Sequence, residues 1–311
     1  MSDNKTDIWH RGAASVPGVV NLNIKPAMAL LLLLLNFIVG FIITGFLTYF
    51  LIIPATGGRP AATVYLSTIV QDIFLFIAPP LVTAMLATRR PARLLGLMEH
   101  PKAIGLLLVG LMFVVSVPAQ EFLIYCNYHL EWISQELADL AMEIEARAAG
   151  AVGTLVGNTS AAALILNILV VGVAAGFSEE LLFRGGILKL LLCTRMNRHV
   201  AVWLVAFIFS VIHFQFLGFV PRMLLGAYFG YLLLWSRSLW LPVAAHVLNN
   251  TVYVVTAWLS VRREGIAALD AEPEVWSWPM TAMSFAAVIV TLYFLYRVNS
   301  SASPSAGNLE R

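Results

Sequence analysis

From near Thr159 to Leu192 the chain is almost continuously apolar, yet Glu179, Glu180 and Arg184 lie inside that run. About 20 apolar residues in a helix cross the ~30 Å hydrocarbon core of a bilayer, so the run is long enough to span one. A charge at that depth costs about 2.5–3.5 kcal/mol on insertion scales, so three within a turn and a half require a reason. Glu180 and Arg184 are four residues apart with the acid first, the favourable order for an ion pair on one helix face. Glu179 is one residue earlier, about 100° around the axis, and cannot share that face. One carboxylate is thus neutralised by its own helix, while the other is aimed at something else.

The rest of the chain fits a membrane setting. It is 60% hydrophobic and 12% charged, with a mean hydropathy of +0.84, whereas soluble domains carry about 25% charged residues. The pattern predicts an all-α polytopic membrane bundle of about eight transmembrane helices: Ala27–Ile53, Val64–Ala87, Ala103–Cys126, Ala161–Leu192, Val200–Phe216, Met223–Trp235, Leu241–Val261 and Trp276–Tyr296. Only helices satisfy backbone groups in lipid unless a barrel closes. The expected organisation is a cytoplasmic tail over residues 1–25, one transmembrane domain over 26–297 with its polar motifs within about 159–261, and a disordered tail over 298–311. Between the third and fourth spans, Leu130, Ile133, Leu137, Leu140 and Ile144 recur at helical spacing among acidic residues. An amphipathic helix outside the membrane is expected over about 128–150.

Arg89, Arg90, Arg93, Lys102, Lys189, Arg195, Arg198, Arg237 and Arg297 fall on one side of this arrangement. Arg59, Arg147, Arg222, Arg262 and Arg263 fall on the other. The excess places both termini in the cytoplasm. Short loops suggest a multi-pass protein of the cell (inner) membrane, with membrane lipid as its surroundings. The net charge of +2, with no basic stripe, does not suit nucleic acid. Cys126 and Cys193 lie in or beside apolar segments and read as buried free thiols rather than a disulfide framework.

Further polar residues interrupt later spans. Phe209-Ser-Val-Ile-His213 puts an aromatic ring and a histidine on one face, and His246-Val-Leu-Asn-Asn250 does so for a histidine and an amide. A lone intramembrane histidine is more often a packing residue; two histidines, an asparagine and an unpaired glutamate on three helices are harder to dismiss. Asp72, within the second span, and Glu121, in the third, read as structural. Gly172 with Gly176, and Gly226 with Gly230, are small-xxx-small pairs that allow helices to approach closely. Pro79, Pro80 and Pro118 are expected to kink or break their helices.

Three of these blocks, in order, resemble a known family, the CAAX-protease and bacteriocin-processing (CPBP, or Abi) intramembrane endopeptidases. Glu179-Glu180-Leu-Leu-Phe-Arg184 is similar to its E-E-x-x-x-R motif, Phe209–His213 to F-x-x-x-H, and His246–Asn250 to H-x-x-x-N. The likeness spans roughly Gly172–Thr251 and implies endoproteolysis of a membrane-associated peptide or protein. It implies that Glu179 is a general base activating water with His213, and that His246 and Asn250 donate hydrogen bonds to the oxyanion. Glu180, Arg184 and Phe209 would support them.

Two other readings stay open. Glu179, His213 and His246 form a possible His2Glu zinc set. Against zinc, no HExxH is present, and the sequence offers no obvious second-shell partner for either histidine; no cofactor is favoured. A non-catalytic scaffold or immunity protein is the other alternative. A transporter built on an inverted repeat is disfavoured, because the first half holds no second copy of the motifs.

Overall fold

The computed structural model describes residues 22–128, 134–215, 218–270 and 276–300, which form no strand. The expected N-terminal tail, apart from its last four residues, and residues 301–311 of the C-terminal tail lie outside the described residues. Eight helices occupy the positions at which spans are expected. They are α1 Pro26–Thr56, α2 Pro60–Ala87, α3 Ala103–Tyr128, α5 Ala161–Leu192, α6 Arg198–Val211, α7 Phe219–Ser236, α8 Trp240–Glu264 and α9 Trp278–Ser300, with α4 Gln135–Val156 between α3 and α5.

Five of these, α1, α2, α3, α5 and α9, are long and apolar enough to cross a membrane. The expected count of about eight is therefore met only in part. The 14-residue α6 is apolar but short, about 21 Å at 1.5 Å per residue. In α7 and α8 the reason is composition: arginines, tyrosines, histidine and asparagines interrupt the apolar sequence. The outward faces are apolar, as at Phe41, Ile42 and Val114, each more than 60% exposed. Such surface suits lipid, and the chain is a multi-pass membrane protein.

The interior is divided among clusters of side chains. The largest joins Leu33 of α1, Phe76 and Ala84 of α2, Leu181, Leu182 and Phe183 of α5, Val205 and Phe209 of α6, and Leu233 of α7. A second joins Val109 and Met112 of α3, Phe229 and Leu232 of α7, Ala245 of α8 and Leu295 of α9. The motif helices α5 to α8 stand between α1–α2 on one side and α3–α9 on the other.

The glycine pairs set how closely the motif helices approach. A methyl at Gly172 would lie 2.7 Å from Thr251 Oγ1, and one at Gly176 would lie 3.2 Å from the Val247 backbone nitrogen. Across α6 and α7, a methyl at Gly226 would lie 3.2 Å from Ala206 Cα. A larger residue at any of these positions requires its neighbour on the facing helix to shift.

Local details differ from the sequence expectation. The proline pair opens the last α-helical stretch of α2, at its second and third residues, after a wider π-helical stretch, Asp72–Ile77. Pro118 is accommodated inside a continuous α3. The helix α6 stops at Val211, where Phe214 takes φ +50° and the Ser210 hydroxyl donates to the Phe219 carbonyl at 2.6 Å. His213 thus sits on the turn leaving α6 rather than inside a span reaching Phe216.

The amphipathic helix α4 begins at Gln135 and extends to Val156; residues 129–133 lie outside the described residues. Leu140 is exposed, and α4 packs instead through Val152 and Val156 against Ala257, Val261 and Leu269. Asn167 of α5 ties it down, donating to the Leu155 carbonyl at 3.0 Å and accepting from the Tyr65 hydroxyl at 2.6 Å. Both cysteines are free thiols, as expected, but neither is buried: Cys126 is exposed and Cys193 half-buried.

Candidate active site

Helix α5 delivers Ser178, Glu179, Glu180 and Arg184. The expected ion pair is present and fully buried: Arg184 Nη1 donates to Glu180 Oε1 at 2.7 Å. Its other nitrogen, Nη2, donates to the Gly226 carbonyl of α7 at 2.8 Å. The guanidinium lies 4.7 Å from the Phe209 ring centroid and 5.2 Å from that of Phe229, so aromatic faces take part of the place of water around the cation. Glu180 accepts a second hydrogen bond at the same oxygen, from His246 Nδ1 at 2.9 Å. Glu180 therefore joins its own helix to α8 and orients a histidine.

Glu179 is left over. Its Oε2 is buried with no hydrogen-bond partner, and it lies 3.8 Å from His213 Nε2 and 3.8 Å from His246 Nε2. The three residues come from α5, the turn after α6, and α8. His213 Nδ1 lies 2.7 Å from the Phe209 carbonyl, which can only accept, so Nδ1 carries hydrogen. His246 Nδ1 is fixed in the same way by Glu180. In their neutral forms both rings turn a bare Nε2 lone pair toward the Glu179 carboxylate.

His246 is held face-on by Phe229, centroids 5.0 Å apart, and edge-on by Phe209 at 5.8 Å. The side chain of His213 is 27% exposed against 5% for His246. The site therefore opens on the His213 side, toward the turn bearing Phe214.

Asn250 lies one helical turn beyond His246. Its Nδ2 donates to the Val171 carbonyl of α5 at 3.2 Å, and its Oδ1 accepts from Asn249 at 3.3 Å. The amide thus ties α8 to α5 below the histidine, leaving its second N–H unused by these bonds.

One residue read as merely structural belongs beside the site. Asp72 of α2 is buried; its Oδ1 accepts from Ser178 Oγ at 2.7 Å, and its Oδ2 has no partner. The sequence signal was an acid within a span, but nothing local pointed from position 72 to position 178. The Gly226 carbonyl and the Phe229 ring were missed as well, since a backbone acceptor and one more apolar residue carry no mark in the sequence.

Both histidines do have second-shell partners, Glu180 and the Phe209 carbonyl, which corrects the expectation that they lack them. However, donors around a tetrahedral zinc stand about 3.4 Å apart, given bonds of about 2.0–2.1 Å, whereas both separations from Glu179 Oε2 are 3.8 Å. Among the described residues no group of three or more His, Cys, Asp or Glu is arranged to hold a metal ion. The donor types suit zinc, and the two separations are about 0.4 Å wider than the tetrahedral spacing.

No curated protein and no solved structure matches the chain. Residues 161–252 match the family model described as type II CAAX prenyl endopeptidase Rce1-like. That segment contains Glu179, Glu180, Arg184, Phe209, His213, His246 and Asn250. Over the helices that build this site, then, the chain is similar to the Rce1-like CAAX endopeptidases, a family of proteases and the one its three motifs resemble.

Proposed function

We propose that the protein is an intramembrane endopeptidase that hydrolyses a peptide bond of a membrane-associated peptide or protein, using water activated by Glu179. The observation that carries this reading is the buried, unpartnered Glu179 Oε2 facing two imidazole nitrogens from other helices. A water placed between them donates one proton toward Glu179 and the other toward His213 Nε2, which fixes its oxygen lone pair for attack. Glu179 takes the first proton as the oxygen adds to the scissile carbonyl.

The oxyanion then needs donors. His246 supplies one from Nε2 only as an imidazolium that has taken up a proton from solvent before the water attacks, with Glu180 still holding Nδ1–H; it keeps that proton through the step, and the second N–H of Asn250 supplies another. Each such donor is worth about 2.7–4 kcal/mol in comparable sites. Glu179 returns its proton to the leaving nitrogen as the C–N bond breaks, which leaves one new carboxyl and one new amine. Glu180, Arg184 and Phe209 bind neither water nor substrate; they hold His246, α7 and His213 in place.

The positive-inside asymmetry favours both termini in the cytoplasm of a cell-membrane protein; α6 then runs outward from Arg198, so the open His213 side of the site faces the half of the membrane away from the cytoplasm. Comparing protein termini in membranes that contain the wild type or Glu179→Ala tests the function. New termini that depend on Glu179 are expected. A Glu179→Ala protein that keeps its full biological effect, with no such termini, would favour a scaffold or immunity role. The proposed chemistry uses no metal; stoichiometric zinc in the purified protein, with activity lost on its removal, would replace it by zinc chemistry at Glu179, His213 and His246.

A further inference from the structure

We propose that Asp72 is a positioning residue of this site, acting through Ser178 to aim the Glu179 carboxylate. The inference rests on the protease reading and extends the site to α2, outside the segment that matches the family model.

Asp72 and Ser178 are buried and 106 positions apart in sequence, and their hydrogen bond is 2.7 Å long. Among the described residues Asp72 forms no ion pair, and its Oδ2 is unpartnered. An acid in a membrane span without a counter-ion is costly and marks a functional group by default. Ser178 directly precedes Glu179. The turn that carries both, Ala175–Glu180, is a short α-helical stretch between two π-helical ones, Ile168–Ala174 and Leu181–Leu188. Such stretches are frequent at functional sites, and here they leave a six-residue turn whose rotation must be set by its neighbours.

Gly176 seats that turn on Val247 of α8, and Glu180 bonds to His246 on the same helix. Asp72 ties the turn to α2 by a different helix face. Without that tie, a rotation of about 10° would move a carboxylate about 6–7 Å from the axis by roughly 1 Å. Misplacement of about 1 Å costs about 10²-fold in rate.

The test uses the purified full-length protein in lipid and a peptide spanning a cleavage site found by the terminus comparison. Asp72→Asn keeps an oxygen that accepts from Ser178, and should retain kcat within about threefold. Asp72→Leu and Ser178→Ala should each lower kcat by about 10–100-fold with KM nearly unchanged. The double variant should be no slower than Asp72→Leu alone. Ser178→Ala, which removes one oxygen, carries the test if Asp72→Leu does not fold.

Wild-type kcat in Asp72→Leu, or in Ser178→Ala, would overturn the inference. So would an Asp72→Asn protein as slow as Asp72→Leu, or multiplied losses in the double variant. Absence of any Glu179-dependent cleavage would remove the protease reading and this inference with it. Glu179-dependent cleavage that ignores Asp72→Leu would remove this inference alone.

Discussion

Replacing Arg184 by methionine is the sharpest test of how the bundle holds its charges. The wild-type guanidinium is fully buried, donates at 2.7 Å to Glu180 and at 2.8 Å to the Gly226 carbonyl, and lies against the Phe209 and Phe229 rings. Methionine fills much of that volume but leaves Glu180 as a buried anion whose remaining partner is His246 Nδ1. Removing one partner of a buried pair typically destabilises by about 3–5 kcal/mol, because the other charge is left uncompensated. Replacing both partners with neutral groups is often close to neutral. In the double variant Glu180→Gln/Arg184→Met the glutamine oxygen still accepts from His246, so much of the loss should be recovered. Reversible unfolding of the purified protein in mixed micelles measures both. The reasoning is refuted if Arg184→Met costs less than about 1 kcal/mol, or if the double variant loses the sum of the single losses.

Two further outcomes follow from the same structure. Gly172→Ala places a methyl 2.7 Å from Thr251 Oγ1, so it should destabilise by about 1–3 kcal/mol, with partial rescue by Thr251→Ala in the same unfolding assay. Single cysteines placed at position 89 or 90 of a protein otherwise lacking Cys126 and Cys193 should react with an impermeant thiol reagent only from the cytoplasmic face; labelling from the outside would reverse the orientation.

Relations within one helix were legible in the sequence. The spacing of Glu180 and Arg184 gave their pair, and the one-residue offset of Glu179 separated it from that pair, because 3.6 residues per turn fixes faces without any knowledge of neighbours. Relations between helices were not. That His246 would bond to Glu180, 66 positions away, or Asp72 to Ser178, depends on which helices pack together, and apolar sequence is much the same on every candidate neighbour. The glycine pairs identified close approaches but not their partners. Helix ends were shifted where local stereochemistry decides, as at Phe214. In α4 the periodicity gave the helix but not its contact: the helix docks by Val152 and Val156, C-terminal to Leu140 and Ile144 and nearer the point where Asn167 anchors it.

The most direct measurement is cleavage in H2 18O by purified protein stripped of metal with a chelator, comparing the wild type with Glu179→Gln. An amide at position 179 keeps the shape of the side chain but cannot accept the proton of the attacking water. The account predicts one 18O atom in the new carboxyl terminus formed by the wild type, at a rate unaffected by the chelator, and a rate for Glu179→Gln lower by about 10²–10⁴-fold. Cleavage by Glu179→Gln at the wild-type rate would contradict it, as would wild-type activity that disappears with the metal and returns with zinc.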